Sequence, residues 1–265
     1  MISFCNRGGV EPVRILWTGG WDSTFRIIEL SRMQVTIEPV YVRDPGRESI
    51  GYETKAMDLI IRMLKERQET KAVFLPVRQI ELADIPENKE ITDAYEKAAA
   101  DTGLGRQHEW LARLGMMIPG MELGTENGGV ETSHIQMAIR KYASMKFQGT
   151  NGEIDCEKSS KEGVLLFGWF RFPIITRTEK DMERQIRQWG YEDIMKHIWF
   201  CHSPINGSPC GFCHPCHVKM ESGMEWLLPR EAEKNYKRQI KIEKFLGVRA
   251  ASLYSRIIRT LRRKA

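Results

Sequence analysis

Val13-Arg14-Ile15-Leu16-Trp17-Thr18-Gly19-Gly20-Trp21-Asp22-Ser23-Thr24 is the stretch on which the fold turns. An apolar run stops at a hydroxyl residue and two glycines; an acid and two more hydroxyls follow, and an amphipathic segment then begins. That order predicts a buried strand over Val13–Trp17, a tight turn, and a helix from about Asp22 to Arg32 with Phe25, Ile28 and Arg32 on one face. Such a turn aims several backbone N–H groups in one direction and adds the positive end of a helix dipole, an arrangement suited to phosphate.

Downstream, Val35–Val42 reads as a β-branched second strand, Gly51–Arg67 as a helix with Met57, Ile60, Ile61 and Leu64 in register, and Lys71–Val77 as a third strand. Strand and helix alternating in this way predict a parallel sheet with crossover helices. The polar stretch Arg78–Thr102 is expected to be an excursion holding one helix over Ile91–Ala100, and Arg106–Leu114 a short helix. Gly115–Leu123 is expected to be the fourth strand, Val130–Met145 a helix, Gln148–Gly163 a surface hairpin or flexible loop, and Val164–Trp169 the fifth strand. Thr178 should cap a helix that ends at Gly190. The expected fold class is therefore α/β with a five-stranded parallel sheet, and ligands of such folds sit beyond the carboxyl ends of the strands.

The 42% apolar and 28% charged content fits a globular protein, and no apolar run nears the roughly 20 residues that span a bilayer. The N-terminus lacks a basic-then-apolar leader, so a cytoplasmic location and no membrane partner are expected. Of the overall net charge of +5, the segment Pro229–Ala265 alone carries +9, which leaves the remainder at −4. A uniformly basic nucleic-acid-binding surface is excluded; the basic character belongs to a C-terminal helical tail expected to break near Gly247. In that tail Leu253, Ile257 and Leu261 form a stripe with basic flanks, which fits a docked helix, a subunit contact such as a homodimer, or an acidic or nucleic-acid partner.

Four of the six cysteines crowd together as Cys201-x8-Cys210-x2-Cys213-x2-Cys216, while Cys5 and Cys156 stand apart. In a reducing compartment such clustering asks for a metal rather than disulfides. Four thiolates close a tetrahedral Zn²⁺ site with no open position, hence a structural one; an iron–sulfur cluster or a redox pair are the alternatives. Gly207, Pro209, Gly211 and Pro215 supply the turns. The expected division is an α/β domain over 1–200, a four-cysteine segment over 201–228 and the basic tail over 229–265.

The loop Thr18–Ser23 lacks the Gly-Lys-Ser/Thr ending of a Walker A motif. An acid at Asp22 suits phosphate only in the company of a hard cation such as Mg²⁺. The loop resembles the Ser-Gly-Gly-x-Asp-Ser motif of the PP-loop ATP pyrophosphatases, with Thr18 in place of the first serine. Together with the cysteine spacing, the chain resembles the 7-cyano-7-deazaguanine synthase family over residues 13 to about 222. Phe172–Met182, Gly190 and Trp199-Phe200-Cys201 add to that likeness. The resemblance implies a Rossmann-like adenine-nucleotide α-hydrolase fold and a ligase that uses ATP to adenylate a carboxylate. Pyrophosphate and then AMP would leave as ammonia or another amine forms an amide or nitrile. It implies ATP contacts from Leu16, Trp17, Thr18, Gly19, Gly20, Trp21, Asp22, Ser23, Thr24, Val42 and Arg43, with Asp22, Ser23, Arg106 and Lys180 as catalytic candidates and the four cysteines on Zn²⁺. Gly51-Tyr52-Glu53-Thr54-Lys55 departs from the family's Tyr-Gly-Gln-x-His, its Tyr-Pro-Asp-Cys-Arg has no counterpart after Glu122, and the family lysine is displaced by one to Lys180. These departures all fall in the acceptor half. The acceptor therefore stays open between 7-carboxy-7-deazaguanine, a related carboxylate, a tRNA base and a protein amine. A non-catalytic protein that retains nucleotide and zinc is the remaining reading.

Overall fold

The computed structural model describes residues 11–128 and 133–262. Cys5, Val130 and the last three residues of the basic tail lie outside the described residues. The elements are β1 (Val13–Leu16), α1 (Trp21–Ser31), β2 (Thr36–Arg43), α2 (Ile50–Glu66), β3 (Val73–Phe74), β4 (Arg78–Glu81), α3 (Lys89–Thr102), α4 (Gln107–Met117) and β5 (Met121–Glu122). They continue with α5 (His134–Tyr142), β6 (Met145–Gln148), β7 (Asn151–Ile154), α6 (Lys161–Phe167), β8 (Phe170–Phe172), α7 (Glu179–Trp189), α8 (Glu192–Met195), α9 (His214–Glu221) and α10 (Arg230–Arg262).

The sheet runs β3-β2-β1-β5-β8-β7-β6, with β4 also paired to β2. All pairings are parallel except β6–β7 and β7–β8, so the sheet is mixed. Alternation sorts the core. On β1, Ile15 faces a cluster with Phe25, Ile28, Met57, Ile60 and Ile186, while Leu16 faces the opposite one with Leu111, Leu114, Ile139 and Leu166. On β2, Ile37 and Tyr41 join the first cluster, and Val40 and Val42 the second. Helices therefore cover both faces, α1, α2, α7 and α8 on one and α3 to α6 on the other.

The sheet has eight strands, not five. The expected third strand, Lys71–Val77, is only Val73–Phe74, Pro76 having no N–H to offer the ladder, and a further strand, β4, lies along β2 at the start of the stretch expected to be an excursion. The stretch expected to be a surface hairpin or loop, Gln148–Gly163, contributes β7 and only the last residue of β6, which begins at Met145 where the preceding helix was expected to end. The two strands form a hairpin stitched into the sheet through Gly152 and Glu153 opposite Phe172 and Arg171. Gly115–Leu123 is the last turn of α4 followed by a two-residue strand. Val164–Trp169 is not a strand: Val164 to Phe167 end α6, whose start is fixed by Ser160 Oγ accepting from the Gly163 N–H at 3.1 Å, Gly168 and Trp169 turn, and the strand follows as Phe170–Phe172. A short apolar run cannot by itself tell a buried strand from a buried helical turn.

The α7 boundaries are as the residues imply. Thr178 and Asp181 form a capping box, and Gly190 takes the left-handed conformation at φ 75°. The tail helix breaks at Gly247, whose φ of 83° and ψ of 168° are not helical. No helix among the described residues is long and apolar enough to cross a membrane.

Candidate functional site: a glycine loop against a four-cysteine knuckle

The first turn of α1 is shaped before any ligand arrives. Trp17 is fully buried, and its Nε1 donates to Thr24 Oγ1 at 2.9 Å. Thr24 is thus turned inward, toward the core, and away from the loop's opening. Gly19 stands at φ 74°, a conformation that a side chain would strain, and its carbonyl accepts from the Trp199 N–H at 2.8 Å. Gly20 is the extended residue ahead of α1, and no side chain caps the helix. The first N–H groups of a helix have no partner within it, so those of α1 are available to a ligand. Gly124, just past β5, crosses this turn so closely that a Cβ there would lie 2.9 Å from the Ser23 nitrogen. Only glycine fits at 124, because any side chain there would collide with the backbone of the turn.

Three acids and one base converge on this turn. Asp22 comes from α1, Glu126 from the segment after β5, Glu179 from the start of α7, and Lys219 from α9. Burial pushes the Asp22 carboxyl up to about 6, with the Lys219 ammonium pulling against the rise. Burial and the neighbouring Asp22 charge raise Glu126 to about 7, again opposed by Lys219. One oxygen of Glu126, Oε2, is buried with no hydrogen-bond partner, and so is the indole N–H of Trp21. Lys219 is itself only 6% exposed and forms an ion pair with Glu179. Burial lowers its affinity for its proton, and Asp22 and Glu126 restore part of it.

A second buried network lies beneath the turn and has a holding role. Arg26 makes a bidentate pair with Glu122 of β5, both bonds 2.8 Å, and reaches Glu29 at 2.6 Å, which also receives Arg177 at 2.8 Å. This clamps α1 onto β5 and leaves neither arginine free for a ligand.

The four cysteine sulfurs lie within 4.8 Å of one another, and Cys201, Cys210 and Cys216 are fully buried. Cys213 Sγ stands 3.8 Å from Cys201 Sγ and 3.5 Å from Cys216 Sγ. A tetrahedral ion with sulfurs at about 2.3 Å requires edges of roughly 3.8 Å, so the cluster has the dimensions to hold a metal ion. The N–H groups of Cys210 and Phe212 donate to Cys201 Sγ and Cys210 Sγ, each at 3.2 Å, bonds that orient ligands from outside. Cys213 sits at the N-cap of α9 and Cys216 on its first turn, so one helix carries two thiols and Lys219.

The tail packs on this knuckle. Gly211 lies against Ala232 of α10, where a Cβ would come 2.1 Å from the Ala232 carbonyl oxygen, and Asn235 donates to the Cys210 carbonyl at 3.0 Å. Knuckle and loop meet through Trp199, which stacks on Tyr52 with ring centroids 4.4 Å apart and sends its indole N–H to the Cys201 carbonyl.

Beyond the carboxyl ends of β2 and β4 opens a cavity of about 830 Å³, lined among others by Asp44, Arg47, Ser49, Arg106, Trp110 and His202. Its wall is fixed by Glu53, which accepts bonds of 2.7 Å from Tyr41, Arg47 and Ser49. A smaller hollow shares Glu48 and Ser203 with it and adds Arg256, Arg259 and Thr260 of the tail.

The structure thus gathers Thr18, Gly19, Gly20, Trp21, Asp22 and Ser23 at one turn and the four cysteines at one point. Leu16, Trp17 and Val42 serve the packing beneath the turn. Arg106 lines the cavity and is exposed, and Arg43 spends its charge on Glu81 at 2.8 Å. Lys180 is exposed on α7, while its neighbour Glu179 faces Lys219. Sequence reasoning missed Glu126 and Lys219. The one available signal for Lys219 was its place three residues past the fourth cysteine, on the same helical face.

Comparison of the chain with family models, with curated proteins and with solved structures found no match in any of the three.

Proposed function

We propose that the chain is a PP-loop enzyme that splits ATP to AMP and pyrophosphate in order to join a carboxylate to an amine, with a structural Zn²⁺ in the cysteine knuckle. The observation that carries this reading is the uncapped start of α1, with Asp22 on its first turn, abutting the four-thiol cluster through Trp199. Free amides of α1 suit the pyrophosphate that departs, and they act where negative charge grows. A Mg²⁺ on the triphosphate would find carboxylate oxygens at Asp22 and at the unpartnered Oε2 of Glu126, and would supply charge neutralisation there.

In this scheme a carboxylate oxygen attacks the α-phosphorus, the bond to the β-phosphate oxygen breaks, and pyrophosphate leaves. The amine then attacks the acyl carbon of the mixed anhydride, loses a proton, and AMP departs. The cavity beyond β2 and β4 is large enough for an acceptor, and Arg106 is its exposed cation. The closed four-sulfur cluster leaves no open metal position, so it supports the loop and takes no part in the chemistry.

A polymeric acceptor, such as a tRNA, is a second reading favoured by Arg256 and Arg259, which line the smaller hollow that shares Glu48 and Ser203 with the cavity. The decisive assay incubates the protein with ATP, Mg²⁺, ammonia and 7-carboxy-7-deazaguanine, and separately with candidate RNAs and peptides, and reads pyrophosphate, AMP and product mass. Release of pyrophosphate and AMP with an acceptor adduct supports the ligase. Nucleotide retained without release under every acceptor condition would make this a nucleotide-binding protein instead.

A further inference from the structure

The loop has no cation of its own. Between Leu16 and Phe25 the chain carries neither lysine nor arginine. The nearest flanking cations are committed elsewhere, Arg14 to Glu38 and Glu11, Arg26 to Glu122 and Glu29. Arg177 is held by Glu29, and Lys180 is exposed. A turn ringed by Asp22, Glu126 and Glu179 would repel a polyphosphate unless something positive were brought to it.

Lys219 is what arrives. It is almost fully buried, and a buried ammonium is costly unless it is paired and placed for a purpose. Its Nζ pairs with Glu179, lies 5.0 Å over the Trp21 ring and 3.8 Å from Met224 Sδ. The metal-binding knuckle fixes it there. Cys213 caps α9, Cys216 lies three residues before Lys219, and the Lys219 carbonyl accepts from the Met224 N–H at 2.9 Å. Trp21, whose ring lies under the ammonium, belongs to the same uncapped turn that offers its amides.

We infer that Lys219 is the loop's phosphate-binding cation, delivered across the fold by the cysteine knuckle: a binding residue that receives the β- and γ-phosphates of a bound nucleoside triphosphate. The inference rests on the phosphate reading of the loop given above. A purely structural Lys219 would serve only to neutralise Glu179, and the two roles separate experimentally.

Full-length, metal-loaded protein is titrated calorimetrically with Mg²⁺–pyrophosphate and with Mg²⁺–ATP, using wild type, Lys219→Met, Lys219→Arg and the charge-balanced double variant Lys219→Met/Glu179→Gln. Loss of a charge-assisted contact should weaken both ligands about tenfold or more in Lys219→Met. The double variant restores neutrality without restoring a cation, so it should stay equally weak, while Lys219→Arg should recover most of the affinity. All variants are expected to keep one metal per chain. Wild-type affinity in the double variant would overturn the inference and leave Lys219 a structural partner of Glu179. If wild type itself takes up neither ligand, the phosphate reading of the loop falls first and the inference with it.

Discussion

The cysteine knuckle and the glycine loop meet through Trp199 and through Lys219 over Trp21, yet they are built in opposite ways. The knuckle is self-contained. Its four donor atoms come from 16 consecutive residues and already stand at the spacing of a metal's coordination sphere. The loop supplies backbone donors, the hydroxyls of Thr18 and Ser23 and one acid. Its other parts come from residues 124 and 126, from 179 and from 219. A cluster of identical soft ligands is specified by their spacing; a turn of backbone amides is specified by whatever the rest of the fold brings against it.

The sharpest way to break this contrast is Cys213→Ser. A closed structural site contributes folding energy directly, so the variant should lose its metal and more than about 4 kcal/mol of stability, read by metal analysis and thermal unfolding. A variant that stays as stable as wild type and loses only activity would move the knuckle into the chemistry. Asp22→Ala probes the other region: in the proposed reaction, release of AMP and pyrophosphate should fall about a hundredfold or more, while the chain stays folded and its unfolding midpoint at pH 7 does not drop, because a buried charge is removed.

Smaller, and specific to the loop, is a pH effect. Asp22 and Glu126 hold their protons to about 6 and 7 in the folded chain, above the ordinary carboxylate range. The folded state therefore binds more protons than the unfolded one between about pH 4 and 7, and stability falls as pH rises through that window. Thermal midpoints of the ligand-free protein measured from pH 5 to 8 should decline, and Glu126→Gln should flatten the decline. A profile that rises with pH in wild type would contradict the burial of this pair. At the bottom of the scale, Lys180→Ala should shift stability by less than about 0.5 kcal/mol and leave pyrophosphate release unaltered, because the side chain is exposed.

The legible parts of the sequence were those with a local cause. The opening strand, turn and helix, the capping box at Thr178 and Asp181, the glycine stop at 190 and the break at Gly247 each depend on residues within a turn or two. So does the thiol cluster. The errors came where tertiary packing decides between equals. Val164–Trp169 has strand composition, but Ser160 caps it as a helix and the Tyr142 carbonyl takes that hydroxyl at 2.9 Å. Gly115–Leu123 likewise reads as one strand, yet α4 continues through Met117 and only two residues pair with β1 and β8. Lys219 and Glu126 were not legible at all, since a charged residue on a short helix or in a loop looks solvated until the opposing elements are in place.

Pro76 has a consequence outside the site. The strand pair β3 and β4 is one border of the sheet, and a border normally displays a row of unsatisfied N–H and C=O groups to any extended chain that drifts past. Here the row is interrupted in its middle by a residue with no N–H to offer, and neither piece is longer than four residues. A foreign strand could not zip along it. The proline that stands between these two short strands also guards the molecule against edge-to-edge aggregation.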